Sequence, residues 1–165
     1  MKTLLLGISE LARRLRNRRD AARKPVISID DPDLRVVITA FDPAEAASSA
    51  LERGLRWQPG QPAVLRHHLR LPASRVESAR ELLEPDQWRV RTEETTPEQG
   101  KRHAEGVEVS ASRIQPLDAL HCSQESSRMA GLAQRLGGTA LGWDALQPGE
   151  PAEEGGSGER SADHA

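Results

Sequence analysis

His121 and Cys122 are adjacent in this chain, and a thiol beside an imidazole is the pair from which a nucleophile and its base can be built. A cysteine close to the start of a helix also has its thiolate favoured. Side chains of consecutive residues diverge, however, and no nucleophile signature flanks this pair, so a small buried or half-buried thiol is expected. His67 and His68 are consecutive within an alternating segment and point to opposite faces, which leaves at most one of them for any metal site. His103, His121 and His164 fall in a loop, ahead of a helix and in the C-terminal tail, and none has the i, i+4 spacing that puts two imidazoles on one helix face. Gly137-Gly138-Thr139-Ala140-Leu141-Gly142 follows a helix and opens none, so it reads as a helix cap and turn instead of a dinucleotide loop. Glu93-Glu94 and Glu153-Glu154 lie in polar stretches, whereas a general acid needs a buried carboxyl. No catalytic, cofactor-binding or metal-ligating residue is expected, and the chain does not read as an enzyme.

The arginines carry a different message. Arg66 and Arg70 share one face of an alternating run, and Arg89 and Arg91 share one face of another. If those two strands pair, an exposed arginine patch forms, suited to an acidic protein surface or to RNA phosphates. The alternative is an ordinary solvated outer face.

Around these residues the composition sets limits. The hydrophobic share is 36 %, low for a chain folded along its whole length, so the core is expected between about Leu34 and Leu146. Three Trp, one Phe and no Tyr leave few aromatic rings for stacking nucleic-acid bases. The single cysteine excludes an intramolecular disulfide and a multi-cysteine zinc site, and fits the reducing cytoplasm. With a formal net charge of −2 there is no global attraction to nucleic acid, but the charge is uneven. Residues 1–24 hold eight Lys or Arg, whereas the stretch after Leu146 is acidic. Met1–Ile8 has too short an apolar run, with the arginines on the wrong side of it, for a secretory signal. No run approaches the length of a membrane-spanning helix.

The elements that would position these residues follow in order. Leu4, Ile8, Leu11 and Leu15 make one stripe of a basic amphipathic helix over residues 1–24, fit for docking on its own domain, on an anionic membrane surface or on RNA. Residues 25–33 read as a linker in which Val26–Ile29 has the composition of a short edge strand. Leu34–Phe41 is a strand, and Asp42, Pro43 and Glu45 start a helix that reaches about Leu55. Val64–Leu71 alternates with Leu65, His67, Leu69 and Leu71 on the core side. Ser74 and Glu77 have the spacing of a capping box for a helix whose apolar face is Val76, Ala79, Leu82 and Leu83. Trp88–Thr92 and Val107–Ile114 are strands, with a polar loop between them. Ser123 then caps a helix with Met129, Leu132, Ala133 and Leu136 on one face; Gly137-Gly138 ends it, and a strand through Trp143 closes the domain. Residues 148–165 are too polar to order themselves.

From Val64 to Leu146 the order is β-α-β-β-α-β, the split βαβ or ferredoxin-like α+β arrangement: an antiparallel sheet with both helices on one face. An extra strand and helix, residues 34–55, precede it. The whole gives one α+β domain over residues 34–147, with the ferredoxin-like part at 63–147.

Two stretches now resemble a known family. One is Leu65-Arg66-His67-His68-Leu69 followed by its helix. The other runs from Leu117-Asp118-Ala119 through Met129-Ala130-Gly131-Leu132-Ala133-Gln134-Arg135-Leu136-Gly137-Gly138 to Thr139-Ala140-Leu141-Gly142-Trp143. Together, over residues 63–147, they are similar to the bacterial ribonuclease E inhibitor protein B family. Gly142 and Trp143 match that family's Gly-Trp motif, while Leu141 and Asp144 stand where it has Asp and Gly. The resemblance implies a ferredoxin-like fold and a non-catalytic, protein-binding role toward a ribonuclease or another component of RNA turnover.

The expectation is therefore a cytoplasmic, non-enzymatic regulatory protein without a cofactor, with Arg66, Arg70, Arg89, Arg91, Gly142 and Trp143 as candidate partner contacts. One alternative is an RNA-binding module that uses the arginine face and residues 1–24. Another is a small-ligand regulatory domain of the amino-acid-sensing type, by analogy of fold.

Overall fold

The computed structural model describes residues 26–93 and 106–149. The expected basic helix over residues 1–24, most of the loop after β3 and the acidic tail lie outside the described residues. Strands and helices follow in the order β1 (Leu34–Ala40), α1 (Ala47–Arg53), β2 (Pro62–Leu71), α2 (Val76–Leu83), β3 (Arg89–Thr92), β4 (Val107–Pro116), α3 (Ala119–Arg135) and β5 (Thr139–Pro148). Among the described residues they build an α+β structure of three helices and one five-stranded antiparallel sheet, ordered β1-β5-β2-β4-β3. β1, expected ahead of a four-stranded sheet, is hydrogen-bonded to β5 and becomes its fifth strand.

Strict alternation in β2 sends Leu65, His67, Leu69 and Leu71 to the buried side and leaves Arg66, His68 and Arg70 half-buried on the other. One hydrophobic cluster joins these leucines to Ala50 and Leu51 of α1, Ala79 and Leu83 of α2, and Met129, Leu132, Ala133 and Leu136 at the end of α3. All three helices thus cover the same side of the sheet, and among the described residues the opposite side has no helix on it.

Several local expectations are corrected. α3 begins four residues before Ser123: Asp118 is its cap, accepting the His121 backbone N–H at 2.9 Å, and Ser123 lies inside the helix. The Ser74/Glu77 box does not form, because Ala73–Arg75 is a 3-10 turn and α2 starts at Val76 without a side-chain cap. Leu82 faces solvent, so Ala79 and Leu83 carry the buried side of α2. Asp42 does not cap α1; its carboxylate takes the Ala44 N–H at 2.9 Å in a turn, and the helix starts later, at Ala47. Val26–Ile29 makes no strand.

The end of α3 forms as the paired glycines demand. Gly137 takes a left-handed φ of 76°, its N–H bonds Gln134 O at 3.0 Å, and the Gly138 N–H bonds Ala133 O at 2.8 Å. This double closure turns the chain directly into β5.

Candidate functional site

The helix-free side of the sheet collects the charged groups. Register across the strands sets them in rows: Thr39, Asp144, Arg66, Ser112 and Arg89 in one; Gly142, His68, Ser110 and Arg91 in the next; Thr139, Arg70 and Glu108 beyond. Val36, Leu146, Val64 and Ile114 form an apolar row at the other end.

Asp144 is the centre of this face. Its side chain is 7 % exposed and lies between two β2 residues. Arg66 binds it bidentately, Nε to Oδ1 at 2.8 Å and Nη2 to Oδ2 at 2.7 Å, and His68 Nε2 lies 3.1 Å from Oδ2. Burial raises the Asp144 carboxyl, but hydrogen bonds from His68 and Arg66 outweigh it and hold it below the ordinary carboxylate value. The hydrogen bonds that Arg66 itself makes to Asp144 in turn raise its guanidinium. The Phe41 ring packs beside the His68 imidazole, 5.3 Å between centroids.

The other arginines are paired as well. Arg70 Nη2 donates to Glu108 Oε1 at 2.7 Å across β2 and β4. Arg89 and Arg91 each hold one oxygen of Asp30, a residue of the segment ahead of β1. β2 and β3 do not pair; β4 lies between them. The arginine patch expected from direct pairing is replaced by a face on which Arg66 and Arg70 each bind a carboxylate of their own and Arg89 and Arg91 share that of Asp30.

Gly142 and Trp143 have structural duties. A side chain on Gly142 would meet the Ala40 carbonyl oxygen at 2.6 Å, so glycine lets β1 and β5 approach here. Trp143, a candidate contact from the sequence, is 5 % exposed and packs in the core, so it offers no surface to a partner.

The histidine and thiol chemistry weighed from the sequence does not assemble. His67 is buried on the core side against Trp88, and burial drives its imidazole down to about 3, which keeps it neutral. Cys122 is buried, and the same effect pushes its thiol up to about 11, opposite to the lowering that a helix start suggests. His121 faces Asp118 Oδ2 at 2.5 Å. Among the described residues no three His, Cys, Asp or Glu side chains cluster as metal ligands would, and no helix is long and apolar enough to cross a membrane.

A second polar cluster closes one end of the core. Arg113 lies 4.4 Å over the Trp88 ring and donates to Gln115 at 2.9 Å and to Glu125 of α3 at 2.6 Å. Beside β1, a cavity of about 270 Å3 is lined by Val36–Thr39 and Arg53–Arg56. Arg53, held by Glu45 at 2.8 Å, caps the outward Thr39 carbonyl at 2.7 Å and so blocks part of that strand edge.

Asp144, His68 and Asp30 were missed as site residues from the sequence. The available signal was a lone carboxylate inside the apolar run Thr139-Ala140-Leu141-Gly142-Trp143-Asp144-Ala145-Leu146, which demands a buried partner. Comparison with protein-family models, curated proteins and solved structures finds no match to this chain.

Proposed function

We propose that this chain is a non-enzymatic, protein-binding regulatory module whose working surface is the helix-free face of its sheet. The observation that carries this reading is the pairing of Arg66, Arg70, Arg89 and Arg91 with Asp144, Glu108 and Asp30. A phosphate backbone gains most from uncompensated cations, and here each phosphate would first have to displace a carboxylate. A protein partner can instead exchange ion pairs, charge for charge, and draw specificity from the pattern. Stacking surface for bases is also scarce: Trp88 and Trp143 are buried, which leaves Phe41, already packed beside His68, and the part-buried Trp57 as the rings a base could reach.

The strand order β5-β2-β4-β3 supports reading that part of the domain as a split βαβ unit, with β1 and α1 added at one edge. The lone Cys122 supports a reducing compartment such as the cytoplasm. The resemblance of residues 63–147 to the ribonuclease E inhibitor protein B family makes a ribonuclease the first partner class to test.

The test is affinity purification of the full chain from nuclease-treated native extract, run beside RNA gel shifts at low salt. A stoichiometric protein partner without an RNA shift is the expected result. A salt-sensitive RNA shift with no protein partner would overturn the reading in favour of nucleic acid.

A further inference from the structure

Residues 26–32 have no place in the sheet ladder, which ends where the Gly149 N–H bonds Asp33 O at 3.0 Å, yet Asp30 fixes them onto its helix-free face. The segment contains two turns, Asp31 N–H to Ser28 O at 3.2 Å and Leu34 N–H to Asp31 O at 3.3 Å. Asp30 stands four residues before the β1 edge strand but bonds Arg89 and Arg91 on β3, the opposite edge. Five strands span about 19 Å; the turned residues between Asp30 and Leu34 cover about 11 Å of that at most, and the Asp30 and arginine side chains make up the difference. The segment must therefore cross the face.

Its second anchor is apolar. Ile27 is 7 % exposed and Val64 2 %, and these are the buried apolar side chains outside the main core cluster. Val64 sits on the helix-free face, so its burial needs a cover from that side. Val36 and Ile114 in the same row remain 47 % and 39 % exposed. The face thus offers an apolar row and, beside it, two guanidiniums that share one carboxylate.

We propose that this face receives a turned peptide segment bearing an apolar residue and, three positions later, an acidic one, and that Ile27 and Asp30 occupy it in cis until a partner's segment replaces them. The inference rests on the protein-binding reading above and names the partner's chemistry. Arg89 and Arg91 give the acidic residue one donor per oxygen, while Val64 and its row receive the apolar side chain. A phosphate would use only the arginines and leave Val64 uncovered. Tethering keeps the cis segment at an effective concentration on the order of millimolar, enough to hold it in place through contacts that are individually weak. A partner with the same two anchors and further contacts outcompetes it.

The probe is a fluorescent peptide of residues 26–33, Val-Ile-Ser-Ile-Asp-Asp-Pro-Asp, titrated into full-length protein by anisotropy. Ile27→Ser with Asp30→Ser in the protein should free the face and tighten peptide binding about ten-fold or more over wild type. Adding Arg89→Ala and Arg91→Ala should abolish the gain, as should a peptide with Asn in place of its aspartates. Asp30→Asn alone keeps the segment's shape and serves should the double variant fail to fold; it should tighten binding in the same direction.

Peptide binding no better than wild type by a variant whose melting curve shows it folded would overturn the proposal. So would an oligouridylate that binds the freed face more tightly than the peptide. A co-purified protein partner indifferent to Arg89→Ala and Arg91→Ala would also remove this site while leaving the protein-binding reading standing, so the two failures are distinguishable.

Discussion

Arg66 and Asp144 lie 78 positions apart in sequence yet face each other across β2 and β5, joined by parallel hydrogen bonds of 2.8 and 2.7 Å. The pair sits in the middle of the sheet, with His68 on the second carboxylate oxygen. It fixes the register of the one strand pairing that connects β1 and β5 to the rest of the sheet.

Asp144→Ala should destabilise the fold by about 2–3 kcal/mol, since it leaves a half-buried guanidinium without its partner. Replacing both residues by apolar ones of similar size should recover much of that loss. The Asp144 carboxyl is held below its ordinary value of 3.8 in the folded state, so its contribution is complete above that value and lost as pH falls through the lower folded one. Urea unfolding from about pH 6 down to about pH 2 should show acid weakening in wild type that is reduced in Asp144→Asn. Equal acid sensitivity of the two proteins would remove Asp144 as a source.

Much of the scaffold was legible because its signals are local. The i, i+3, i+4, i+7 spacing of Met129, Leu132, Ala133 and Leu136 needs only two turns of helix to act, and all four are buried. Leu65 to Leu71 alternate for an equally local reason. Caps failed where several candidates stood close together: Asp118 lies five residues before Ser123 and takes the helix start from it. The functional face was half legible. Alternation placed Arg66 and Arg70 on one side, but their carboxylates lie 78 and 38 positions away, and no local pattern predicts them. Asp30 reads as linker in the sequence because nothing in its own stretch announces Arg89, 59 positions further on.

His67 should make a separate contribution to acid sensitivity. The unfolded imidazole takes a proton near 6.5, whereas the buried one stays neutral down to about 3. Between those values the unfolded state binds the extra proton, so stability is complete above the upper value and declines as pH falls, by at most about 1.4 kcal/mol per pH unit. His67→Leu should flatten urea-derived stability in this window and leave the Asp144 effect below it. An unchanged slope would show that another group titrates there.

Cys122 should be inert in the folded protein. Its side chain is buried and its thiol is pushed up to about 11, so little thiolate exists near neutral pH and reagents cannot reach it. Labelling by an aromatic disulfide at pH 8 should be slow in buffer, fast in denaturant, and should follow the unfolding curve in between. Rapid labelling in buffer would show that α3 opens locally around its first turn.

Two glycines should respond to alanine with opposite signs. Gly142 has φ 140°, and a β-carbon there would lie 2.6 Å from Ala40 O, a backbone atom that cannot move without displacing β1. Gly142→Ala should therefore cost about 2–4 kcal/mol by forcing β1 from β5 or by disturbing β5 at Leu141, the extra residue between the His68–Gly142 and Leu69–Ala140 pairs. Gly131 lies inside α3, where an added β-carbon would meet only the flexible Arg135 guanidinium at 3.5 Å. Gly131→Ala should stabilise by about 0.5–1 kcal/mol, because it restricts the unfolded chain and favours the helix. Urea midpoints of the two variants, taken at equal m-values, give both signs in one experiment; a harmless Gly142→Ala would mean that β1 does not approach β5 as closely as the sheet requires.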